Sequence, residues 1–130
     1  DVIDWKGASP KDKALRMAAI AELAMVRSND MAGKWALESY KICPNAYSLC
    51  VQALIEAQKK GNFEKALDLI DTAVKEFPGE ARTYCVRGVV CLLGGAPYRA
   101  RKDFEAALKI DPSNPIYRFR LAQTYMPELK

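Results

Sequence analysis

Displaced by 34 residues, the chain falls on itself. Gly61 lands on Gly95, Ala66 on Ala100, Ala73 on Ala107 and Pro78 on Pro112, and one step back from the middle set stand Ala32, Ser39 and Pro44. A period of this length, held over three units without an insertion, belongs to chains that stack like supersecondary units, each burying a face it cannot bury alone. Each unit divides into two amphipathic halves: 47–60 with 63–77, 81–93 with 97–110, and 10–26 with 31–42. In GNFEKALDLIDTAVKEFP, Phe63, Ala66, Leu67, Ile70, Ala73, Val74 and Phe77 recur at helical spacing, and Glu64, Lys65, Asp68, Asp71, Lys75 and Glu76 fill the opposite face. Pro78 has no N–H for a further turn, and Asn62 after Gly61 is expected to cap the start.

Small residues recur where two helices must approach: Ala32, Ala66 and Ala100 early in each second half, and Ser39, Ala73 and Ala107 two turns later. The connectors ICPNA, FPGEA and IDPSNP repeat one device, a Pro that stops a helix and a polar residue that starts the next. Ser9-Pro10 with Asp12 has the cap, first-turn Pro and acidic third position of a helix start.

In register over more than one period, these residues resemble the tetratricopeptide repeat. Tyr84, Gly88, Ala100, Phe104, Ala107 and Pro112 take the family's aromatic, small, small, aromatic, small and proline places, and the likeness runs from residue 13 to residue 126. The resemblance implies an all-α fold, a right-handed α-solenoid of three helix–turn–helix units, 13–46, 47–80 and 81–114, closed by a capping helix over 115–126, seven helices in all. Residues 1–9 form a tail before a single domain over 10–130. Arg27 replaces the first unit's turn glycine and Ile20 a small residue, so a looser turn and wider helix spacing are expected there; Tyr98 is the turn aromatic shifted by one place. Leu121, Ala122 and Tyr125 repeat the first-helix pattern before Pro127 ends it.

Half of the 130 residues are apolar, enough for a core without metals or bridges, and no apolar stretch nears the ~20 residues needed to cross a bilayer. The start, DVIDWKGASPKDK, lacks the basic head and apolar run of a signal peptide, and the absent initiator Met suggests a piece of a longer chain. Cys43, Cys50, Cys85 and Cys91 show no C-x-x-C spacing, and no histidine completes a mixed zinc site; they read as small buried hydrophobes in a reducing compartment, cytoplasmic or nuclear. Without histidine, imidazole-dependent catalysis is closed. The acids Glu64, Asp68, Asp71, Asp103 and Glu105 alternate with Lys and Arg as on solvated faces, and Gly94-Gly95 lacks the G-K-[ST] of a phosphate loop. The expectation is no enzyme and no cofactor.

The resemblance implies a concave groove, lined by the first helices of successive units, that holds a partner peptide or helix. The groove places are Met17, Ala21 and Met25 in the first unit, Val51, Gln52, Ile55 and Lys59 in the second, and Arg82, Cys85, Val86, Val89 and Leu93 in the third; Phe119, Arg120 and Gln123 follow in the end helix. This lining is mainly apolar and suits an amphipathic helix or extended hydrophobic segment of another protein. Family members that grip the acidic tails of heat-shock chaperones use a clamp of Lys, Asn and Arg; here those places hold Met17, Ala21, Gln52, Arg82 and Val86, so such a tail is disfavoured. Val2, Ile3 and Trp5 offer a second use of exposed apolar surface, folding back on the solenoid, and self-association a third. The runner-up reading is RNA binding through Arg99, Arg101, Lys102, Arg118 and Arg120, with Tyr98 and Tyr117 stacking on bases. Asp103, Glu105 and Asp111 interrupt that patch, and a net charge of +4 does not demand a polyanion.

Overall fold

The computed structural model describes residues 7–126. Among them are seven helices and no strand: α1 (Pro10–Ala24), α2 (Asn29–Ile42), α3 (Ala46–Gln58), α4 (Phe63–Glu76), α5 (Ala81–Leu93), α6 (Pro97–Ile110) and α7 (Pro115–Gln123). Val2, Ile3, Trp5 and Pro127 lie outside the described residues.

Four helix starts are closed by side chains. Ser9 Oγ accepts from the Asp12 N–H at 3.1 Å, Ser28 Oγ from Met31 at 3.2 Å, Asn45 Oδ1 from Ser48 at 2.9 Å and Asn114 Oδ1 from Ile116 at 2.9 Å. Asn62 departs from its expected role. With φ −104° and ψ 21° its side chain makes no capping bond, and Nδ2 donates instead to Glu56 Oε2 at 2.7 Å. Burial works against the Glu56 charge, but the bonds from Asn62 and Lys59 and the nearby Lys65 prevail and hold its carboxyl below the usual range. Gly61 and Gly95 turn the chain at φ +85° and +79°. Arg27, their counterpart, stays out of the left-handed region: its N–H and that of Ser28 both bond the Ala24 carbonyl, at 3.0 and 2.8 Å, so the turn closes without glycine.

The hairpins α1–α2, α3–α4 and α5–α6 pack most extensively, and each second helix also meets the helix that follows it. The odd-numbered helices touch in series, α1 on α3, α3 on α5 and α5 on α7, whereas α2, α4 and α6 make no comparable contact with one another. Two layers that differ in this way curve, and the odd-numbered layer is the inner one.

Close packing rests on the small residues. Ala32, Ser39, Ala66, Ala73, Ala100 and Ala107 are fully buried, and a Cβ on Gly88 would stand 2.5 Å from the Phe104 ring. The wider spacing expected of the first hairpin does not occur. Ala14, Ala18 and Ala21 of α1 are buried with Ala32 and Ala36 of α2, and Ile20 stands half-buried to one side of them. One apolar cluster runs from α3 to α7; a second joins Ala21, Ala24, Ala32, Ala36, Val51 and Ile55, with Met25 and Trp35 against it.

Asp103 is not on a solvated face. Its side chain is 10% exposed and accepts two bonds from Arg87, which also donates to Asp71 of α4. Cys50, Cys85 and Cys91 are buried, Cys43 is half-buried, and all four are free thiols.

Candidate partner-binding groove

Residues three and four apart on a helix share a face, and on the inner layer those faces enclose a cleft of about 350 Å³. Its walls are Met25 beyond α1, Val51 and Leu54 of α3, Cys85, Val86 and Val89 of α5, and Ile116 and Tyr117 of α7. Val51, Cys85 and Val86 are the floor, 1%, 7% and 7% exposed; Met25, Leu54 and Val89 are half-buried and Ile116 is exposed.

Four polar side chains mark the rim: Glu22, Arg82, Asn114 and Arg120. Glu22 of α1 pairs with Arg82 of α5, a bridge between two helices that flank α3. The Arg82 guanidinium also lies 5.1 Å from the centroid of the Tyr47 ring. Arg120 donates to Gln123 Oε1 at 3.1 Å. One carboxylate against two guanidiniums leaves the rim a single positive charge. Burial pushes the Cys85 thiol above its ordinary value despite the pull of Arg120 and Arg82, the opposite of what a nucleophilic cysteine needs.

Of the residues read from the sequence, Met25, Val51, Arg82, Cys85, Val86, Val89 and Arg120 meet in this one cleft. Phe119, 62% exposed, is on the same helix beside Ile116 and Arg120, and Leu93, 60% exposed, ends α5. The others lie elsewhere. Gln52, Ile55 and Lys59 line a second cleft with Asn29, Gly33 and Leu69. Met17 is buried beside Lys34, Trp35 and Glu38, and Ala21 has no exposed surface. Ile55, at 6% exposure, is a core residue and not an open contact, because it packs with Ala21 and Ala24 of α1 and Ala32 and Ala36 of α2. Glu22, Cys50, Leu54, Asn114, Ile116 and Tyr117 complete the cleft and were not among the expected groove residues. One signal for Ile116 exists, since it stands 34 residues after Arg82.

The basic patch does not assemble as read. Tyr117 is buried at 8% exposure and offers no ring face to a base. Arg101 bonds the Thr124 hydroxyl and carbonyl, each at 3.1 Å, and lies over the rings of Tyr98 and Tyr125 at 5.1 and 3.7 Å. Arg118 donates to the Pro112 carbonyl at 2.9 Å.

Helix hairpins stacked with their first helices along the concave side define the class: this chain has the tetratricopeptide-repeat fold. No family model and no curated protein matches its sequence. Among solved structures, the first TPR of Spaghetti (RPAP3), bound to the HSP90 peptide SRMEEVD, aligns with a TM-score of 0.76 at 20% identity over 92% of this chain and 98% of that one. Yeast Tom70 aligns at 0.81 and 22% identity over 96% of this chain and 26% of its own. The Sgt2 TPR domain of Aspergillus fumigatus aligns at 0.74 and 17% identity over 93% and 82%. What is shared at these identities is the fold.

Proposed function

We propose that this chain is a non-enzymatic protein-interaction module, a scaffold or adaptor, whose concave cleft takes an apolar segment of a partner protein, an amphipathic helix or an extended stretch. The cleft itself carries the reading: an apolar lining of about 350 Å³ with its charges confined to the rim. Burial there supplies ~25 cal/mol per Å² before ordering costs, and Met25 adapts its shape to the guest. The RPAP3 domain was captured with an acidic peptide. Here Met17, Ala21 and Val86 are buried apolar side chains, and Arg82 is engaged by Glu22, which supports a guest of different chemistry. The free thiols fit a reducing compartment, cytoplasmic or nuclear. No helix among the described residues is long and apolar enough to cross a membrane.

The test compares wild-type protein with Val89→Asp and Ile116→Asp, two cleft-lining positions, in affinity capture, followed by mapping of the captured segment. Both variants are expected to keep their circular dichroism and lose the partner. Full retention of the partner by folded variants would place its seat outside the cleft. Binding that weakens steeply with salt would point to a polyanion instead.

A further inference from the structure

A cavity of about 420 Å³, larger than the concave cleft and sharing no lining residue with it, opens where the first turns of α1 face two connectors. Leu15 of α1 is on one side, Cys43 and Tyr47 on a second, and Phe77 and Glu80, between α4 and α5, on a third. The Tyr47 hydroxyl donates to Glu80 Oε2 at 3.2 Å, so the carboxylate here is engaged. Lys11, also at the cavity, is exposed and has no ion-pair partner among the described residues. The repeat shows what is different at this end. Ser9 stands one and two periods before Cys43 and Phe77, the apolar connector residues in the cavity, and is polar and bound to the Asp12 N–H. Gly7 stands likewise before Lys41 and Lys75, both helical, yet its φ is +79°, so the chain turns where α2 and α4 run straight on.

We propose that residues 2–5 of this same chain, VIDW, turn back at Gly7 and fill the cavity, with the Trp5 ring against Leu15, Tyr47 and Phe77 and Asp4 beside Lys11. The seat is within reach: the four residues from Trp5 to Ser9 span up to about 14 Å, and Leu15 stands about 9 Å along the helix from Ser9. An aromatic ring suits walls that hold a Tyr and a Phe, and an acid suits the one cation without a partner there. So short a tether holds the segment at an effective concentration on the order of millimolar, which favours it over the same segment of a second copy. Once seated, it joins α1 to the connectors before and after the α3–α4 hairpin. This inference does not depend on the reading of the concave cleft.

In 13C-labelled protein, nuclear Overhauser contacts are expected from the Trp5 ring to Leu15, Tyr47 and Phe77. Leu15→Asp should abolish them, because a charge then faces the ring, whereas Leu23→Asp, 75% exposed on the same helix and outside the cavity, should leave them unchanged. A second readout leaves every helix untouched, since Trp5 precedes α1. Trp5→Ala should speed alkylation of the Cys43 thiol by iodoacetamide severalfold, because the ring no longer covers it; Cys50, Cys85 and Cys91 are buried in the core and should stay slow in both proteins. The proposal falls if Trp5 makes no contact with the cavity, if its contacts survive Leu15→Asp, or if Cys43 reacts equally fast with and without the ring. It falls too if the contacts vanish on dilution, which would identify the segment of a second copy as the occupant.

Discussion

Arg87 donates through Nε and Nη2 to a single carboxylate oxygen of Asp103, at 3.0 and 2.9 Å, and through Nη1 to Asp71 at 3.2 Å. One guanidinium thus ties α5 to α6 within its own hairpin and to α4 of the preceding one. Asp103→Ala leaves that guanidinium, 26% exposed, with Asp71 as its carboxylate partner and is expected to cost about 1–3 kcal/mol in urea denaturation. Asp68→Ala, at an exposed position on α4, should stay within ~0.5 kcal/mol of wild type. Equal effects would mean the pair is not the fastener described.

Gly88 sits where α5 crosses α6. Replacing it by Ala improves helix propensity by about 1 kcal/mol, yet the new methyl would meet Phe104, a fully buried ring, at 2.5 Å. The contact should win, with a net loss of about 1–3 kcal/mol that Phe104→Leu in the same chain partly relieves. Chemical denaturation of the two single variants and the double variant measures the coupling.

Glu22 neutralises one of the two guanidiniums at the cleft rim. Glu22→Gln releases Arg82 to stand with Arg120, so an acidic peptide such as SRMEEVD, expected to be a poor guest of the wild-type cleft, should gain about three- to fivefold in affinity at low salt, with the gain fading as salt rises. Calorimetric titration of both proteins at two ionic strengths reads it. An unchanged affinity would show that the bridge does not set the charge preference of the cleft.

Burial, with smaller contributions from Cys85 and Glu80, pushes the Cys50 thiol from an ordinary 9.0 up to about 12. Between those values the unfolded thiol gives up its proton and the folded one keeps it, so stability is intact below pH 9 and falls as pH rises, by about 1.4 kcal/mol per pH unit from this group. Tyr40, Tyr47 and Tyr117 are also pushed up by burial and act in the same direction. Denaturation of wild type and Cys50→Ala across pH 8 to 11 isolates the cysteine: the variant's curve should be the flatter one.

The helices, their pairing and most of their ends follow from residues close to one another in the chain. Apolar spacing near 3.6, prolines and cap side chains act within a turn or two, and a strict period repeats the same local instruction, so the hairpins could be read from letters alone. Side-chain depth on the inner layer could not. Val51 and Ile55 have the helical spacing of groove residues, but contacts from α1 and α2 bury them, while Val89, at the place equivalent to Ile55, remains half-open. Asp103 is patterned as a surface acid and is drawn inward only because Arg87 arrives from another helix; Asn62 forgoes its cap because Glu56 lies within reach. Local chain stiffness and hydrogen bonding settle which elements form, whereas exposure and pairing depend on which other helix stands opposite, a condition met only after the elements have docked.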